Sequence, residues 1–234
     1  MSQHEYFKFN GALLDNYLAA GYYRMGQYIF TTDTILHDAR RYFVFWLRFP
    51  LANFQFEKKA QKLLWQNRMF RILFRDFSID PELEQLYARY TAYVNFDAPP
   101  TLQSVLFGEM ANRDTRNAFD SGMIEVRDGD TLVAAGIYDQ GARSLAGIMN
   151  FYDPLYKRYS PGKFLMLQKI RYAMDRNMEY YYPGYIAHGY PKFDYKLFPN
   201  PSMAQMYDPV TRVWMAFSAD HCEALVRQFL KQMK

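Results

Sequence analysis

The stretch Asn150–Lys196 reads NFYDPLYKRYSPGKFLMLQKIRYAMDRNMEYYYPGYIAHGYPKFDYK and decides the predicted fold. Its first aromatic run has the composition of a β-strand and ends at Asp153. A turn with Gly162 then opens a helical pattern, and a second aromatic run ends at Pro183. Strand, turn, helix and strand predict a βαβ unit. Because backbone amides at the start of such a helix can hold a phosphate or an activated carbonyl, we expect the functional site here.

Three antiparallel strands are predicted immediately upstream, at Met123–Arg127, Leu132–Tyr138 and Ser144–Tyr152. Asp128-Gly129 is a strong hairpin signal between the first two. The chain is therefore predicted to have an α+β fold in which an antiparallel meander precedes the βαβ unit. This order resembles the core of the GNAT acyltransferase superfamily. Such folds hold an activated acyl donor at a splayed strand and the start of the following helix.

The rest of the chain predicts further elements on both sides of this core. Helices are predicted at Asn10–Ala20, at Phe56–Asn67, from Pro81 behind an Asp80 cap, at Thr101–Met110 and from Ala219. Strands are predicted at Tyr42–Phe49, Phe70–Phe77 and Val213–Phe217, with a strand or hairpin at Tyr22–Phe30. We expect a basic, aromatic-rich α/β module at residues 1–80 and the GNAT-like domain at residues 81–234.

The composition excludes several classes of protein. Half of the 234 residues are apolar, with 21 Tyr and 20 Phe, which excludes a disordered chain. The mean hydropathy is −0.35 and no apolar run approaches about 18 residues, so no membrane span is predicted. Cys222 is the single cysteine, which excludes an intrachain disulfide and a cysteine-based metal site. With a polar N-terminus that lacks a signal-peptide pattern, the chain is expected in the reducing cytoplasm.

Residues 39–75 are strongly basic although the whole chain has a net charge of only +4. This segment has nine Lys and Arg residues against the single acid Glu57, and aromatic residues are interleaved with them. Cations bind phosphates and flat rings stack on exposed bases, so the pattern predicts an RNA-binding surface. The alternative is that most of the rings belong to the core and the cations line a solvated face.

The turn before the predicted crossover helix departs from the acetyl-CoA signature. Acetyl-CoA members of the GNAT superfamily carry Q/R-x-x-G-x-G/A here, whereas this chain has Tyr159–Phe164, YSPGKF. Only Gly162 is retained, and Phe164 stands where a small residue would let a pyrophosphate approach. Acetyl-CoA is therefore disfavoured as the donor.

NFYDPLYKRYSPGKF (150–164) resembles the sequence YFYDPDYERLSLGTYS, and GYIAHGYPKFDYK (184–196) resembles GYYIHSCPKMRYK without a gap. Both of these are segments of arginyl-tRNA–protein transferases and their bacterial leucyl-transferring relatives, which this chain therefore resembles. Residues 127–139 resemble that family's DGxLIAVGVxD hairpin, residues 80–90 its xxxYxxYxxxRH helix, and residues 21–26 its GWRRSG turn. The matches occur in the family's order and span most of residues 10 to 200.

One departure from the family concerns an N-terminal cysteine cluster that holds a metal or an iron–sulfur centre. The corresponding segment here, residues 31–41, reads TTDTILHDARR and has no cysteine. His37 stands alone in it. Neither a metal nor a resident cofactor is therefore predicted, and whatever the cluster contributes elsewhere must be lost or replaced by packing.

The resemblance implies amide-bond formation. The N-terminal amine of an acceptor protein or peptide attacks the aminoacyl ester at the 3′ end of a tRNA. The ester is already activated and an α-amine has a pKa near 8, so no covalent enzyme intermediate and no strong base are required. The main tasks are alignment and stabilisation of the oxyanion. This suits a sequence without an evident nucleophile–histidine or paired-carboxylate motif.

The resemblance also assigns roles to individual residues. The candidates at the chemistry are Tyr152, Asp153 and His188. The candidates for the aminoacyl end are Gly162, the amides of Lys163 and Phe164, and Tyr185. The candidates for the tRNA or for an acidic acceptor side chain are Arg24, Lys192, Tyr195 and Lys196. The basic segment, and not the resemblance, supplies the candidates for the tRNA backbone, which are Arg40, Arg41, Lys58, Lys59 and Lys62. Each has an ordinary alternative as a helix-entry glycine, a turn aspartate, a core aromatic or a surface residue.

Three functions remain open at this point. The first is a tRNA-dependent aminoacyltransferase that adds arginine or leucine to N-termini that start with Asp or Glu. The second is a GNAT-fold acyltransferase with another donor, or one that modifies a small peptide in biosynthesis. The third is a non-catalytic RNA- or peptide-binding homologue. The sequence does not separate arginine from leucine.

Overall fold

The computed structural model describes residues 8–94, 98–108 and 116–232. Helices within these residues are Gly11–Ala19 (α1), Lys58–Gln66 (α2), Pro81–Tyr93 (α3), Leu102–Phe107 (α4), Pro161–Asp175 (α5) and Ala219–Gln232 (α6). Strands are Tyr23–Met25 (β1), Tyr28–Phe30 (β2), Thr34–His37 (β3), Arg40–Pro50 (β4), Arg71–Asp76 (β5), Ser121–Asp128 (β6), Thr131–Gln140 (β7), Ser144–Tyr152 (β8), Tyr180–Ala187 (β9), Gln205–Asp208 (β10) and Val213–Ala216 (β11). Short 3-10 helices are Pro154–Tyr159, Pro191–Leu197 and Pro201–Met203.

One sheet organises the fold. Its strands lie in the order β11-β10-β4-β9-β8-β7-β6-β5, and β3 pairs with β4. The strands of the meander β6–β8 are antiparallel. β4 also pairs antiparallel with β9, and β5 pairs antiparallel with β6. Strands from the first 80 residues therefore extend the sheet on both sides of the core. The predicted division between residues 80 and 81 is not a boundary of the sheet, because β5 and β6 pair across it.

The sheet opens between β8 and β9. These strands are parallel but pair only where Ser144–Ala146 meets Tyr180–Tyr182. Beyond those residues β9 stays paired with β4 as far as Ala187, while β8 stays with β7. An extra residue at Ile148 forms a bulge in β8, and such bulges bend a strand away from its neighbour. Helix α5 connects β8 to β9, so the predicted α+β fold with a meander and a GNAT-like βαβ unit is confirmed.

Most helices and strands were predictable from local patterns, including the β1–β2 hairpin and the β6–β8 meander. Asp80 caps α3 by accepting a hydrogen bond from the Leu83 amide at 2.8 Å, as its position predicts. Strands β3 and β10 and the 3-10 helices were not predicted, since each is too short for a periodic signal. Strand β9 also continues to Ala187 instead of ending at Pro183.

Helices cover both faces of the sheet. Alternate residues of β6 point to opposite sides, so that Ile124 packs with α5 and α2 whereas Met123 packs with α3 and α4. Helix α6 covers β4, β9 and β10 around Phe45 and Met206. Within the described residues, no helix has both the length and the apolarity needed to cross a bilayer.

Candidate active site

A cavity of about 440 Å³ lies where β8 and β9 separate. Gly147–Asn150 of β8 and Pro183–Tyr185 of β9 form two of its walls. The remaining walls come from α5, the 3-10 helix Pro191–Leu197, β1, β2, β4 and α3, and are mainly apolar or aromatic. The cavity is therefore bordered by elements from both faces of the sheet.

The Tyr23 hydroxyl marks the point where the strands part. It donates to the Gly147 carbonyl oxygen of β8 at 2.5 Å and lies 3.0 Å from the Tyr182 carbonyl oxygen of β9. Burial raises the pKa of Tyr23 well above its ordinary value, so it remains a neutral donor. The Tyr23 side chain thus gives its single hydroxyl hydrogen to main-chain oxygen at the point where the strands separate.

Lys169 donates hydrogen bonds to other main-chain oxygens of β8 and of its neighbour β7. This α5 residue is 1% exposed, and its ammonium donates to the carbonyl oxygens of Ile137 at 2.6 Å and Met149 at 3.0 Å and to Asn150 Oδ1 at 2.8 Å. The Asn150 amide in turn donates to the Gly162 carbonyl at 3.1 Å. Burial lowers the pKa of Lys169 to about 7, but three acceptors occupy three hydrogens, which only the charged form has. Lys169 therefore fastens the bulge to the crossover helix.

Lys196 occupies the β9 side of the cavity. Its ammonium donates to the Tyr185 carbonyl oxygen at 2.7 Å and lies over the rings of Tyr185 and Phe193, 4.7 and 4.8 Å from their centroids. Gly184 makes room for it, because a Cβ there would lie 3.1 Å from the nitrogen. Burial lowers the pKa of Lys196 to about 7. The Lys196 ammonium thus lies against aromatic rings, and it has hydrogens beyond the one donated to Tyr185 that a ligand can accept.

Arg24 lines the cavity but is committed to a buried ion pair. Its guanidinium lies 2.9 Å from Asp139 Oδ1, with side-chain exposures of 2% and 0%, and also donates to the Gly26 carbonyl at 2.6 Å. Ser121 donates to the same carboxylate oxygen. Asp139 Oδ2 has no hydrogen-bond partner among the described residues. Burial raises the pKa of Asp139, and Arg24 opposes that rise. The predicted contact of Arg24 with an acceptor carboxylate would require this pair to break.

The three residues predicted at the chemistry are not brought together in the cavity. Tyr152 packs against Tyr90 near its mouth, and neither Tyr152 nor Asp153 lines it. Asp153 accepts from Arg89 at 2.8 Å and from the Leu155 amide at 3.0 Å, as a turn aspartate does. His188 lies at a second cavity, of about 300 Å³, where it pairs with Glu223 at 2.8 Å.

The start of α5 offers fewer amides than the sequence suggests. Pro161 has no amide hydrogen, and the Phe164 amide donates to the Ser160 carbonyl at 3.0 Å. The Phe164 ring is 2% exposed in the core. Gly162 and Lys163 have amide hydrogens at the start of the helix, beside the Asn150 side chain that donates to the Gly162 carbonyl oxygen. The Lys163 ammonium lies over the Phe198 ring. The predicted cradle is thus reduced to two amides, outside the residues that line the cavity.

Tyr185 and Tyr195 do line the cavity, together with Lys196. Burial raises the pKa of Tyr185, which keeps its hydroxyl protonated. Neither hydroxyl has a hydrogen-bond partner among the described residues, so both can donate to a ligand. Lys192 lies in the same 3-10 helix but is exposed and outside the lining.

The basic segment is divided by the long strand β4. Arg40 and Arg41 begin this strand, and the α2 lysines (Lys58, Lys59 and Lys62) follow its far end; all five are exposed. Most of the interleaved rings, such as Phe45 and Phe49, are buried in the core. The exposed ring of Trp65 carries Arg68 at 3.9 Å. Most of the aromatic rings therefore belong to the core, and these five cations lie on the surface.

A β-hairpin occupies the position of the family's cysteine cluster. β3 and β4 are joined by Asp38 and Ala39, both with positive φ, in a two-residue turn. The His37 ring lies 2.9 Å from the Tyr190 hydroxyl, and Tyr190 also contacts Tyr42. Among the described residues no group of three or more His, Cys, Asp or Glu could hold a metal ion. Aromatic packing therefore links this hairpin to the segment that follows β9.

Sequence reasoning missed Tyr23, Trp46, Asn150 and Lys169 at the cavity. Lys169 had a detectable signal, because it shares the apolar helical face of Leu165 and Met166 in α5. The other three sit in strands whose neighbours are distant in sequence. Their position could not be read from a local pattern.

The meander, crossover helix and splayed strand around this cavity form the α+β arrangement that the sequence predicts. A model of the family described as arginine-tRNA-protein transferase, C terminus, matches residues 82–205. An aspartate/glutamate leucyltransferase from Leptospira interrogans is 31% identical over 218 residues, covering 90% of this chain and 82% of that protein. The chain belongs to the arginine-tRNA-protein transferase family.

Two further comparisons are more distant. Arginyl-tRNA--protein transferase 1 from Arabidopsis thaliana is 28% identical, covering 69% of this chain and 28% of that protein. The C-terminal domain assigned to a lysylphosphatidylglycerol synthetase from Agrobacterium fabrum superposes with a TM-score of 0.48 and 14% identity, covering 81% of this chain and 56% of that one.

Proposed function

We propose that this chain transfers leucine from leucyl-tRNA to the N-terminal amine of a protein or peptide that begins with Asp or Glu. The observation that carries the proposal is the cavity between β8 and β9 in a member of this family. Its volume of about 440 Å³ is in the range of small-molecule sites. An aminoacyl ester and an acceptor amine could meet there because both faces of the sheet contribute walls.

The charge of the cavity favours leucine over arginine as the donor. Its described lining contains three cations, Arg24, Lys169 and Lys196, and no Asp or Glu. A guanidinium would need a carboxylate partner, which the described lining lacks, and it would be repelled by the ammonium groups of Lys169 and Lys196, whereas Arg24 is already paired with Asp139. A leucyl side chain instead finds apolar surface from residues such as Ile148 and Met166.

The same geometry disfavours a thioester donor of the CoA type. Such a donor would use the splayed strand and the amides at the start of the helix. Here Tyr23 and Lys169 already occupy the carbonyl oxygens of Gly147 and Met149. The Phe164 amide is also occupied, which leaves little main chain for a pantetheine arm or a pyrophosphate.

The chemistry needs alignment more than a base. The acceptor nitrogen bonds to the ester carbonyl carbon, the bond from that carbon to the tRNA 3′ oxygen breaks, and one amine proton ends on that oxygen. We assign the hydroxyls of Tyr185 and Tyr195 as donors to the developing oxyanion, since both line the cavity without a protein partner. With an α-amine pKa near 8, about a tenth of the acceptor is already neutral at pH 7.

Exposed cations flank the segment that carries Lys196, and we propose that they bind the tRNA backbone. The α2 lysines follow Glu57, whose amide donates to the Pro199 carbonyl at 2.9 Å. Arg40 and Arg41 begin β4, where Val44 pairs with Ala187 at the end of β9. Aminoacyl-tRNA is made where translation occurs, so the proposal implies a cytoplasmic location.

The direct test is transfer of a labelled acyl group to a peptide that begins with Asp. Leucyl-tRNA, arginyl-tRNA and acetyl-CoA are offered separately. We expect product with leucyl-tRNA alone, and no product with any charged tRNA would contradict the proposal. Ile148→Asp adds a carboxylate to the cavity wall and should raise transfer from arginyl-tRNA relative to leucyl-tRNA, whereas the neutral control Ile148→Asn should not.

A further inference from the structure

An acceptor that begins with Asp or Glu brings a carboxylate to the site, and a buried carboxylate needs a cation. The described lining of the cavity offers Arg24, Lys169 and Lys196 for this purpose. They differ in how many of their hydrogens the protein already uses. That difference decides which one can accept a substrate anion.

Two of the three cations are already occupied. Arg24 pairs with Asp139 at 2.9 Å inside the protein and donates to three further oxygens, those of Ser121, Gly26 and Leu106. Lys169 uses all three ammonium hydrogens on protein oxygens at 2.6 to 3.0 Å. To bind a substrate carboxylate, either residue would have to leave buried acceptors unpaired, which is unfavourable.

Lys196 is the remaining cation. It donates to one protein oxygen, the Tyr185 carbonyl, so two of its ammonium hydrogens are left. The rings of Tyr185 and Phe193 hold it from one side, and Gly184 leaves space for the nitrogen beside β9. A partly desolvated ammonium of this kind binds a carboxylate more strongly than one in water.

We propose that Lys196 is the specificity-determining residue that binds the side-chain carboxylate of an N-terminal Asp or Glu on the acceptor. The inference rests on the proposed function and adds which residue selects the acceptor. Lys196 forms no covalent bond in this role. It discriminates between Asp and its neutral isostere Asn, because only the carboxylate offers two anionic acceptors.

The test compares two peptides that differ only in an N-terminal Asp or Asn. Leucyl-tRNA is the donor, and the readout is the ratio of kcat/KM for the two peptides. Lys196→Gln removes the charge but keeps an amide donor for the Tyr185 carbonyl, and it should reduce the ratio by about 10- to 100-fold. Lys196→Arg should restore much of the ratio. Lys231→Met, which removes an exposed lysine on α6, should leave it unchanged.

The outcomes separate this inference from the proposed function. If the wild-type protein transfers leucine to neither peptide, the proposed function fails. If it prefers Asp and Lys196→Gln keeps the same ratio, even at lower overall activity, the proposed function stands and the role of Lys196 is overturned. An equal wild-type rate for both peptides also overturns that role.

A wild-type measurement decides the matter if the variants do not fold. The pKa of Lys196 is lowered to about 7, so the ammonium loses its proton as pH rises through that value. The ratio should therefore fall between about pH 6 and pH 8.5. The acceptor α-amine cancels in the ratio, and the other charged groups at the cavity, Arg24 and Lys169, have their own protein partners. A constant ratio would overturn the inference.

Discussion

Replacing Arg24 with methionine separates a structural arginine from a substrate-binding one. The Arg24–Asp139 pair joins β1 to the end of β7 at the wall of the cavity. With Arg24 gone, Asp139 keeps a fully buried carboxylate whose Oδ2 already lacks a partner. Breaking one side of a buried ion pair costs about 3–5 kcal/mol. Lys169, which also interacts electrostatically with Asp139, should hold the loss near the lower end.

The assay is urea denaturation of wild type and Arg24→Met at several pH values. A loss of about 3 kcal/mol corresponds to a fall in Tm on the order of 10 °C for a chain of this size. Without Arg24 the pKa of Asp139 rises further above its unfolded value, so the folded state binds the extra proton. The destabilisation should therefore be larger at pH 8 than at pH 5.

The matched control is Arg143→Met, which breaks an exposed pair with Glu179 at 3.3 Å. Exposed pairs contribute about 0–1 kcal/mol, so its stability should hardly change. If Arg24→Met were as stable as this control and lost its preference for acidic acceptors, the reasoning would be refuted. Arg24 would then bind the substrate carboxylate in place of Lys196.

Three further outcomes are expected. Gly184→Ala places a Cβ on a residue whose φ is +94°, at 3.1 Å from Lys196 Nζ. The variant should lose about 1–2 kcal/mol of stability in denaturation, and its KM should rise more for an Asp peptide than for an Asn peptide. Changing all α2 lysines to glutamine should weaken leucyl-tRNA binding and reduce the slope of log K against log salt concentration by about 2–3, without changing kcat at saturating tRNA. An unchanged slope would show that α2 does not contact the tRNA. Lys169→Met removes the donor from three buried acceptors and should destabilise the protein by about 2–4 kcal/mol, and wild-type stability would contradict its role as a fastener.

The elements whose signals are local could be predicted from the sequence. The β6–β8 meander follows from alternating residues around Asp128-Gly129, and α3 follows from its aspartate cap and the proline after it. The pairing of β4 with β9 joins residues 130 to 143 positions apart, and no local pattern specifies it. For the same reason no local pattern shows that β5 and β6 pair across the predicted division at residue 80.

The candidate site was predictable only in part. Tyr185, Tyr195 and Lys196 were named from the resemblance, and all three line the cavity. Lys169 was missed although it shares the apolar face of α5, because its three acceptors lie 19 to 32 residues away in sequence. The role of Arg24 depended on Asp139, which lies 115 residues away in sequence. Partners of this kind appear only when the sheet is assembled.

The identity of the transferred residue tests the central claim most directly. Equal concentrations of leucyl-tRNA and arginyl-tRNA are mixed with the wild-type chain and a peptide that begins with Asp, and the product is identified by mass spectrometry. A cavity lined by apolar side chains and cations predicts a product extended by leucine at its N-terminus. A product extended by arginine would contradict the account, as would recovery of the unmodified peptide.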